Sequence, residues 1–199
     1  MKKPLPKSRK KLDLKPIYIE VIKLLIHKNP EQISFSLVAR KTNVPRTTLY
    51  YYFGSNVEDL ILEAVKYSMK EFMQLWEDQS HRTTQNHKSW QELQERKFFD
   101  AIQLVSESPW FLKLYFRYCG HFSYVGDEIR RVEKVYLAAT DKDWHRFHKS
   151  KLKPQFQYLL SQLKIGVLWG LLGQDNQWKG QERLLASYCS RLFARIEDF

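Results

Sequence analysis

The sequence predicts an all-α protein in which three short helices precede a larger helical body. Apolar residues recur at the three-to-four-residue spacing of helices, whereas strict apolar–polar alternation is scarce across the 199 residues. Prolines, capping residues and glycines also divide the chain into segments of helical length. Hydrophobic residues make up 43% and aromatic residues 15% of the chain, which is enough for a packed core and excludes a wholly disordered protein.

The first helix is predicted to begin at Pro16, because proline suits the first turn of a helix. An apolar stripe runs over residues 17–25, and Asn29-Pro30 ends the segment. A second, short helix is predicted over residues 34–42, where a serine is available as the N-cap. Asn43 follows it as a turn residue, since asparagine tolerates the left-handed backbone conformation.

A third short helix is predicted from Pro45 to Tyr51 or Tyr52, and Phe53-Gly54-Ser55 interrupts it. The pattern Ser55-x-x-Glu58 is typical of a capping box and predicts the start of a long helix. A turn is predicted at Gly126. The helices of the body are predicted over residues 56–79, 90–106, 109–122, 127–149, 154–172 and 181–197.

Positive charge is concentrated at the N-terminal end of the chain. The whole protein has 33 Lys and Arg, 22 Asp and Glu and a formal net charge of +11. Residues 1–56 contain 12 of the cations and only three acids, Asp13, Glu20 and Glu31. A basic head on a near-neutral body favours a polyanionic partner for the head. Residues 1–15 are predicted to be a basic flexible arm, which either lies along a DNA groove or is an idle soluble tail.

The second and third helices and their turn have the spacing of a helix-turn-helix. The third helix carries Arg46, Thr47 and Thr48 at its N-terminal end, which is the end that reaches base edges in this motif. Arginine can bind guanine through two hydrogen bonds, and threonine can offer a hydroxyl or contact a thymine methyl. Tyr50 and Tyr51 lie one turn further along, where their hydroxyls can donate to phosphates.

The other large side chains of the third helix are assigned mainly to packing. Leu49 and Phe53 are predicted to point into the core, and Tyr52 to pack or to lie at the rim. The candidate DNA-contacting residues are Ser34, Ser36, Arg46, Thr47, Thr48, Tyr50, Tyr51, Ser55 and Asn56.

This segment resembles the helix-turn-helix of the TetR family of bacterial transcriptional regulators, over Ile17–Val65. The likeness rests on Val38-Ala39, Val44-Pro45, Thr47-Thr48-Leu49-Tyr50-Tyr51-Tyr52-Phe53 and Ser55, followed by Glu58-Asp59-Leu60. The resemblance implies an all-α homodimer in which an N-terminal three-helix DNA-binding domain, residues 16–55, binds DNA. It also implies that a C-terminal helical domain, residues 56–199, binds a small ligand and dimerises through its last two helices.

Three positions depart from the family pattern. Asn43 replaces the glycine that is usual in the turn, and it tolerates the same backbone conformation. Thr47 replaces the glycine that is usual before Thr48, and it adds a side chain at a base-facing position. The lysine that is usual at the start of the fourth helix is replaced around Asn56-Val57. Ser55, Asn56 and free helix N–H groups are the expected substitutes for its phosphate contact.

Large aromatic side chains crowd the body, where the resemblance implies an effector pocket. An aromatic lining suits an apolar or planar ligand, whereas a filled core is the alternative explanation of the same residues. The candidate pocket residues are Trp110, Leu114, Tyr115, Tyr118, Phe122, Trp144, Phe147 and Trp169.

The last two helices carry broad apolar faces. Two such helices from each of two subunits would form a four-helix bundle; alternatively, the same faces close the core of one monomer. Gly166 and Gly170, four residues apart, would allow close helix approach. The candidate interface residues are Phe156, Leu160, Leu163, Val167, Gly170, Leu185, Tyr188 and Leu192.

Catalytic chemistry is not indicated by the residue pattern. His145-x-x-His148 places two imidazoles on one helical face, but a metal site needs further ligands. Cys119 lies among aromatic residues and is predicted to pack. We therefore expect no enzymatic activity, no cofactor and no metal. Because neither a secretory signal nor a membrane span is recognised, a cytoplasmic protein is expected.

The sequence thus predicts a transcriptional repressor that binds a palindromic operator in double-stranded DNA as a homodimer. A small apolar or aromatic ligand would release it from the DNA. The alternative is a protein of the same fold without a small-molecule inducer, which is controlled by a protein partner or acts as a structural or cell-division factor. A closed apolar cavity of about 300 Å³ or more in the body would distinguish the two.

Overall fold

The computed structural model describes residues 12–82, 89–148, 153–172 and 180–196. The regular secondary structure within these ranges is entirely helical, without strands, which agrees with the predicted all-α class. A short 3-10 turn lies between the first two helices. The helices are α1 (Lys15–His27), α2 (Phe35–Thr42), α3 (Arg46–Phe53), α4 (Val57–Arg82), α5 (Trp90–Glu107), α6 (Trp110–Tyr118), α7 (Tyr124–His148), α8 (Pro154–Leu172) and α9 (Glu182–Ile196).

The first helix joins the N-terminal part of the chain to the body. Pro16 occupies the first turn of α1, as predicted. The buried face of α1 carries Ile17, Val21 and Leu25, and this face packs against α4 and α6. Removing this apolar surface from water contributes about 25 cal/mol per Å² to folding. Because α1 contacts both α4 and α6, the N-terminal helices are positioned by the body rather than by a loose linker.

The prediction of a flexible arm over residues 1–15 is wrong for residues 12–15. Leu12 and Leu14 pack against the core, and Lys15 is already the first residue of α1. The backbone N–H of Leu12 donates to the Tyr52 hydroxyl at 3.4 Å. These apolar contacts hold the chain where basic composition alone indicated a free tail. The strongly basic residues 1–11 lie outside the described residues.

The body is a bundle built around its longest helices. α4 and α7, which have 26 and 25 residues, pack against each other. α9 packs along α5, and α8 contacts both α5 and α7. The buried side chains form one apolar cluster that runs from Ile17 in α1 to Phe193 in α9. None of the helices in the described part of the chain is long and apolar enough to cross a membrane.

The turn between α6 and α7 differs from the prediction. α6 ends at Tyr118 instead of continuing to residue 122, and α7 begins at Tyr124. Gly126, predicted to mark a turn, is buried in the first turn of α7. A Cβ atom at Gly126 would lie 2.2 Å from the backbone oxygen of His121. Glycine is therefore required there for the close approach of the preceding turn.

Candidate nucleic-acid interface

The turn between α2 and α3 has the geometry that the sequence predicts. The Ser34 hydroxyl caps α2 by accepting the Leu37 N–H at 3.3 Å. Asn43 ends α2 in the left-handed conformation, with a φ of 55°. Pro45 then precedes the first residue of α3. This sequence of cap, left-handed residue and proline sets the path of the chain into α3.

A small apolar core beneath α3 fixes which of its faces is exposed. Val38 of α2 and Leu49 of α3 are completely buried, and Phe53 is nearly so. The Phe35 ring contacts the edge of the Tyr50 ring, with centroids 4.7 Å apart. These contacts confirm the predicted packing of Leu49 and Phe53. They leave the opposite face of α3 available to a partner.

The exposed face of α3 carries most of the candidate DNA-contacting residues. Arg46 and Thr47 are exposed, Thr48 is half-buried, and Tyr51 is 83% exposed. The Arg46 guanidinium donates to the Tyr50 hydroxyl at 2.8 Å and lies 5.7 Å from the ring centroid. This contact restricts the Arg46 side chain before any ligand binds. A restrained arginine loses less conformational entropy when it binds.

The beginning of α4 is capped differently from the prediction. The Asn56 side-chain oxygen accepts the Glu58 N–H at 3.1 Å, and the Asn56 carbonyl accepts the Asp59 N–H at 3.3 Å. The Ser55–Glu58 capping box is therefore wrong, and Asn56 is the cap. The preceding Gly54 has a φ of 71°, which favours glycine. Glu58 and Asp59 in the first turn already complement the helix dipole, which makes this end of α4 less favourable for a phosphate.

Two exposed cations near this surface were not among the sequence candidates. Arg40 and Lys41 lie in the last turn of α2, and both are exposed. Arg40 is four residues after Ser36, which is also exposed, so the two share one face of α2. The helical spacing from Ser36 would have identified Arg40. Both cations add positive charge beside the N-terminal end of α3.

The predicted pocket residues do not converge on one cavity. Leu114, Tyr115, Tyr118 and Trp144 are buried, whereas Trp110 and Phe147 are half-buried. Phe122 is fully exposed, because α6 ends before it, and Arg130 lies 5.9 Å from its ring. Trp169 is 42% exposed and packs on Phe116, with ring centroids 4.4 Å apart. Phe122 and Trp169 are therefore wrong as residues of an enclosed pocket.

The internal space between α4, α6, α7 and α8 is small. Tyr115, Phe111 and Met69 line a cavity of about 20 Å³ there. At its edge the Tyr115 hydroxyl donates to Glu133 at 2.8 Å, and the Gln162 amide donates to Glu133 at 3.0 Å. Burial and then the nearby Glu133 carboxylate raise the pKa of Tyr115 above its usual value. Tyr115 consequently remains a neutral hydrogen-bond donor.

The predicted interface residues differ in burial and fall into three groups. Leu163, Gly170, Tyr188 and Leu192 are exposed. Phe156, Val167 and Leu185 are half-buried. Leu160 is only 1% exposed, so its assignment to an outer face is wrong, because it points into the core of the body.

The exposed parts of α8 and α9 form continuous apolar stripes. On α8, Leu159 and Leu163 are followed by Gly166 and Gly170, and a Cβ atom at either glycine would have no neighbour within 4 Å. On α9, Leu184, Tyr188 and Leu192 recur every four residues and are about half exposed. The sequence prediction missed Leu184, although its spacing from Tyr188 indicates the same face.

The last turn of α1 is capped by two side chains from α6. The Tyr118 hydroxyl lies 3.1 Å from the Leu25 carbonyl and 3.2 Å from the Lys28 carbonyl. The Arg117 guanidinium donates to the Ile26 carbonyl at 3.0 Å and to Asn29 at 3.2 Å. The last carbonyls of a helix lack partners within it, so these donors stabilise the end of α1. They also link the N-terminal helices to the body.

Comparison of the chain with protein-family models finds no match, and comparison with curated proteins finds none either.

Proposed function

We propose that this protein is a DNA-binding transcriptional regulator that reads double-stranded DNA with α3. The observation that carries the proposal is the N-terminal end of α3, where Arg46 and Thr47 are exposed above a tightly packed apolar core. A helix of this kind fits the major groove, where its first residues meet base edges. The excess of cations over residues 1–56 supplies the attraction to phosphate.

The individual side chains suit different parts of the DNA. Arg46 can make two hydrogen bonds to a guanine, and Thr47 can contact a neighbouring base through its hydroxyl or methyl. The Tyr50 hydroxyl accepts from Arg46 and retains its own hydrogen for a phosphate. Tyr51, whose ring is largely exposed, can donate to a second phosphate. Phosphate contacts fix the position of the helix, and base contacts select the sequence.

The proposed active form is a homodimer that joins two copies through α8 and α9. The exposed apolar stripes of these helices are unusual on the surface of a monomer and suit a partner helix. Gly166 and Gly170 would let the helices approach closely. A two-fold dimer presents two copies of α3, which favours a palindromic operator with half-sites about 34–36 Å apart or a multiple of that spacing.

The proposed regulation acts through the contacts between α6 and α1. Arg117 and Tyr118 hold the end of α1, so a shift of α6 would change the position of the DNA-binding helices. A ligand or partner that favours a shifted α6 would weaken DNA binding by linkage. In this role the protein is a repressor that leaves its operator when the body changes conformation.

One observation favours control by a partner over control by a ligand in the body core. The cavity between α4, α6, α7 and α8 has a volume of about 20 Å³, which is far below the size of a preformed ligand pocket. The second candidate function is therefore a DNA-binding protein of the same fold that has no small-molecule inducer in its core. It would be controlled by a protein partner or act as a structural factor on DNA.

The proposal is tested by selecting DNA from a random double-stranded pool with the purified full-length protein near physiological salt. We expect enrichment of a sequence with two inverted half-sites, and a dimer-sized protein by light scattering. A pool that remains random after several rounds, with binding that depends only on salt, would show that α3 reads no sequence.

A further inference from the structure

One side of α7 concentrates positive charge in a body that is otherwise near neutral. Residues 57–199 carry 21 Lys and Arg against 19 Asp and Glu. Between residues 131 and 148, all of which the structure describes, the exposed residues include four Lys and Arg and no acid. These cations and two small apolar residues recur every three or four positions, so they share one side of the helix. We call this side the α7 basic face, which consists of Arg131, Lys134, Val135, Ala138, Lys142 and Arg146.

Most of the positive charge on the α7 basic face has no counter-charge within the protein. Lys134 and Lys142 form no ion pair or hydrogen bond with another residue in the described part of the chain. The Arg146 guanidinium lies 5.4 Å from the Phe147 ring, and no described carboxylate pairs with it. Arg131 differs, because its Nε donates to Glu128 at 2.9 Å. Three cations, which are spread over about 18 Å of helix, therefore remain available to a partner.

The acids in this part of α7 are engaged by the interior. The Glu133 carboxylate accepts the Tyr115 hydroxyl at 2.8 Å and the Gln162 amide at 3.0 Å. The Asp143 carboxylate is buried and pairs with Lys97. Charge is thus segregated across α7, with carboxylates directed inward and cations directed outward.

This arrangement places like charges at positions that are neighbours on a helix. Lys142 and Arg146 are four residues apart, and Arg131 and Lys134 are three apart. Like charges at these spacings repel each other and destabilise the helix. An anionic partner would offset the repulsion and gain the attraction of the three unpaired cations.

We propose that the α7 basic face is a docking surface for an acidic helical segment of a protein partner. The middle of the face is apolar, since Val135 is 43% exposed and Ala138 is also exposed. An apolar centre within a charged rim is typical of a surface that binds protein. Acidic side chains of the partner would pair with Lys134 and Lys142, while its apolar side chains would cover the centre. Docking is independent of DNA binding, and only its use in controlling DNA binding rests on the proposed function.

The dimensions of the α7 basic face favour a protein segment over other polyanions. The face is one helix wide, and α8, which packs against α7, exposes no charged residue along Pro154–Leu172. A DNA duplex is much wider than one helix and would meet this uncharged surface as well. Helices that lie on membranes carry large apolar side chains to insert, whereas this face has only Val135 and Ala138.

The first test compares three synthetic peptides on the full-length protein. The peptides, of about 18 residues, share a helix of alanine and leucine and carry Glu, Gln or Lys at every fourth position. We expect fluorescence anisotropy at about 0.15 M salt to show binding of the Glu peptide about tenfold tighter than that of the Gln peptide, and little binding of the Lys peptide. No binding of the Glu peptide, or equal affinity for the Glu and Gln peptides, would overturn the proposal.

Charge-reversal variants locate the site. The double variant Lys134→Glu with Lys142→Glu should lose the Glu peptide and bind the Lys peptide instead. The control is Arg40→Glu with Lys41→Glu, which changes the net charge equally but lies on α2. It should keep its affinity for the Glu peptide. If the two folded double variants lose the Glu peptide equally, the attraction is one of net charge and the proposal fails.

A variant that carries no charge change tests the apolar centre. Val135→Ser should weaken the Glu peptide several-fold and leave the slope of affinity against salt unchanged, because it removes apolar contact and no ion pair. Unchanged affinity would show a diffuse charge attraction rather than a docked helix, which overturns the proposal.

DNA and anionic membranes are tested with the same double variants. Random duplex DNA should bind the α7 variant as tightly as the wild type, whereas the α2 variant should bind it more weakly. Vesicles that contain phosphatidylserine should not distinguish the α7 variant from the wild type. If the α7 variant alone loses DNA or vesicle binding, the face belongs to that polyanion and the proposal is wrong.

The outcome for the α7 basic face is separable from the outcome for the proposed function. If the Glu peptide requires Lys134 and Lys142 but no DNA sequence is selected, the docking surface is supported and the DNA-reading function fails. If an operator is selected and the Glu peptide binds without these lysines, the function is supported and the docking surface is rejected.

Discussion

At the scale of single residues, the polar side chains of Arg46 and Lys97 are each held in place by a specific neighbour. Arg46 is positioned by the Tyr50 hydroxyl, and Tyr50 in turn packs on Phe35. In the body, the buried Lys97 ammonium pairs with the buried Asp143 carboxylate. The contact with Tyr50 restricts the conformations of the Arg46 side chain, which is exposed to a partner outside the protein. The pair of Lys97 and Asp143 joins α5 to α7 in a low-dielectric interior, where loss of one charge is costly.

The contact between Arg46 and Tyr50 predicts different effects for two neighbouring tyrosines. Tyr50→Phe should lower affinity and also reduce discrimination at the base pair that Arg46 reads, by about 1 kcal/mol, because the guanidinium loses its acceptor. Tyr51→Phe should lower affinity on every sequence equally, because only a phosphate contact is lost. Competition binding with the selected operator and its single-base variants measures both. Identical discrimination in the two variants would contradict the positioning role of Tyr50.

The buried ion pair predicts a large loss of stability. Asp143→Asn should reduce the free energy of unfolding by about 3–5 kcal/mol, because it removes the carboxylate partner of a buried ammonium. Glu63→Gln is the control, since Glu63 and Lys66 form an exposed pair on α4 that contributes less than about 1 kcal/mol. Urea unfolding measures both changes. A loss for Asp143→Asn no larger than that for Glu63→Gln would contradict the importance of the buried pair.

At the scale of whole helices, α8 and α9 are distinguished by apolar faces that the monomer leaves exposed. Leu163 and Gly170 lie on the outer side of α8, and Tyr188 and Leu192 lie on the outer side of α9. The inner sides of both helices, which include Leu160 and Phe193, complete the core. Each helix can thus serve the fold with one face and a second subunit with the other.

These faces predict the effect of charged substitutions on assembly. Gly170→Glu and Leu192→Glu should each yield folded monomers, because a carboxylate would be buried against the partner's apolar stripe. Val135→Glu is the control, since Val135 is similarly exposed on α7. Light scattering and circular dichroism measure assembly and folding. Dimers that persist in both variants, at the concentration where the wild type is dimeric, would reject this interface.

At the scale of the whole molecule, one continuous core joins α1, α2 and α3 to the body. α1 is shared between them, because it packs on α2 as well as on α4 and α6. Its C-terminal end is held by Arg117 and Tyr118 from α6. A change in the body can therefore reach α3 through packed helices and hydrogen bonds rather than through a flexible linker.

This connection predicts a local effect at the end of α1. Tyr118→Phe should destabilise the protein by about 1–3 kcal/mol, because the buried Leu25 carbonyl loses a donor. Hydrogen exchange of the last amides of α1 should accelerate. Tyr51→Phe, which removes an exposed hydroxyl, should leave stability and exchange unchanged. Unaltered protection of α1 in Tyr118→Phe would contradict the proposed link between α6 and α1.

Features that depend on neighbours in sequence could be predicted from the sequence. Pro16 gave the start of α1, and Asn43 gave the left-handed turn, because proline and asparagine have strong local backbone preferences. The burial of Leu49 and Phe53 followed from helical spacing. The cap of α4 was misassigned because Ser55 and Asn56 are adjacent and both can cap.

Features that depend on distant neighbours could not be predicted. Glycine is common in turns, which is why Gly126 was predicted to mark one. In the structure, glycine is required at this position because the backbone of His121 lies too close to α7 for a Cβ atom. Trp169 and Tyr115 are both large aromatic residues on amphipathic helices, yet one is exposed and the other is buried. Periodicity identifies a face of a helix, but only the packing of other helices decides whether that face borders a cavity, a core or the surface.

The central claim, that α3 reads base sequence through Arg46 and Thr47, is tested most directly by repeating the selection from random DNA with single variants. Arg46→Ala and Thr47→Ala should still bind DNA but should select a motif with relaxed preference within each half-site, at a cost of about 1–3 kcal/mol at the affected base pair. Arg131→Ala, which changes an exposed arginine on α7, is the control and should select the wild-type motif. Circular dichroism confirms folding of each protein. If the folded Arg46→Ala and Thr47→Ala proteins both select the wild-type motif with undiminished stringency, α3 is not the reading helix.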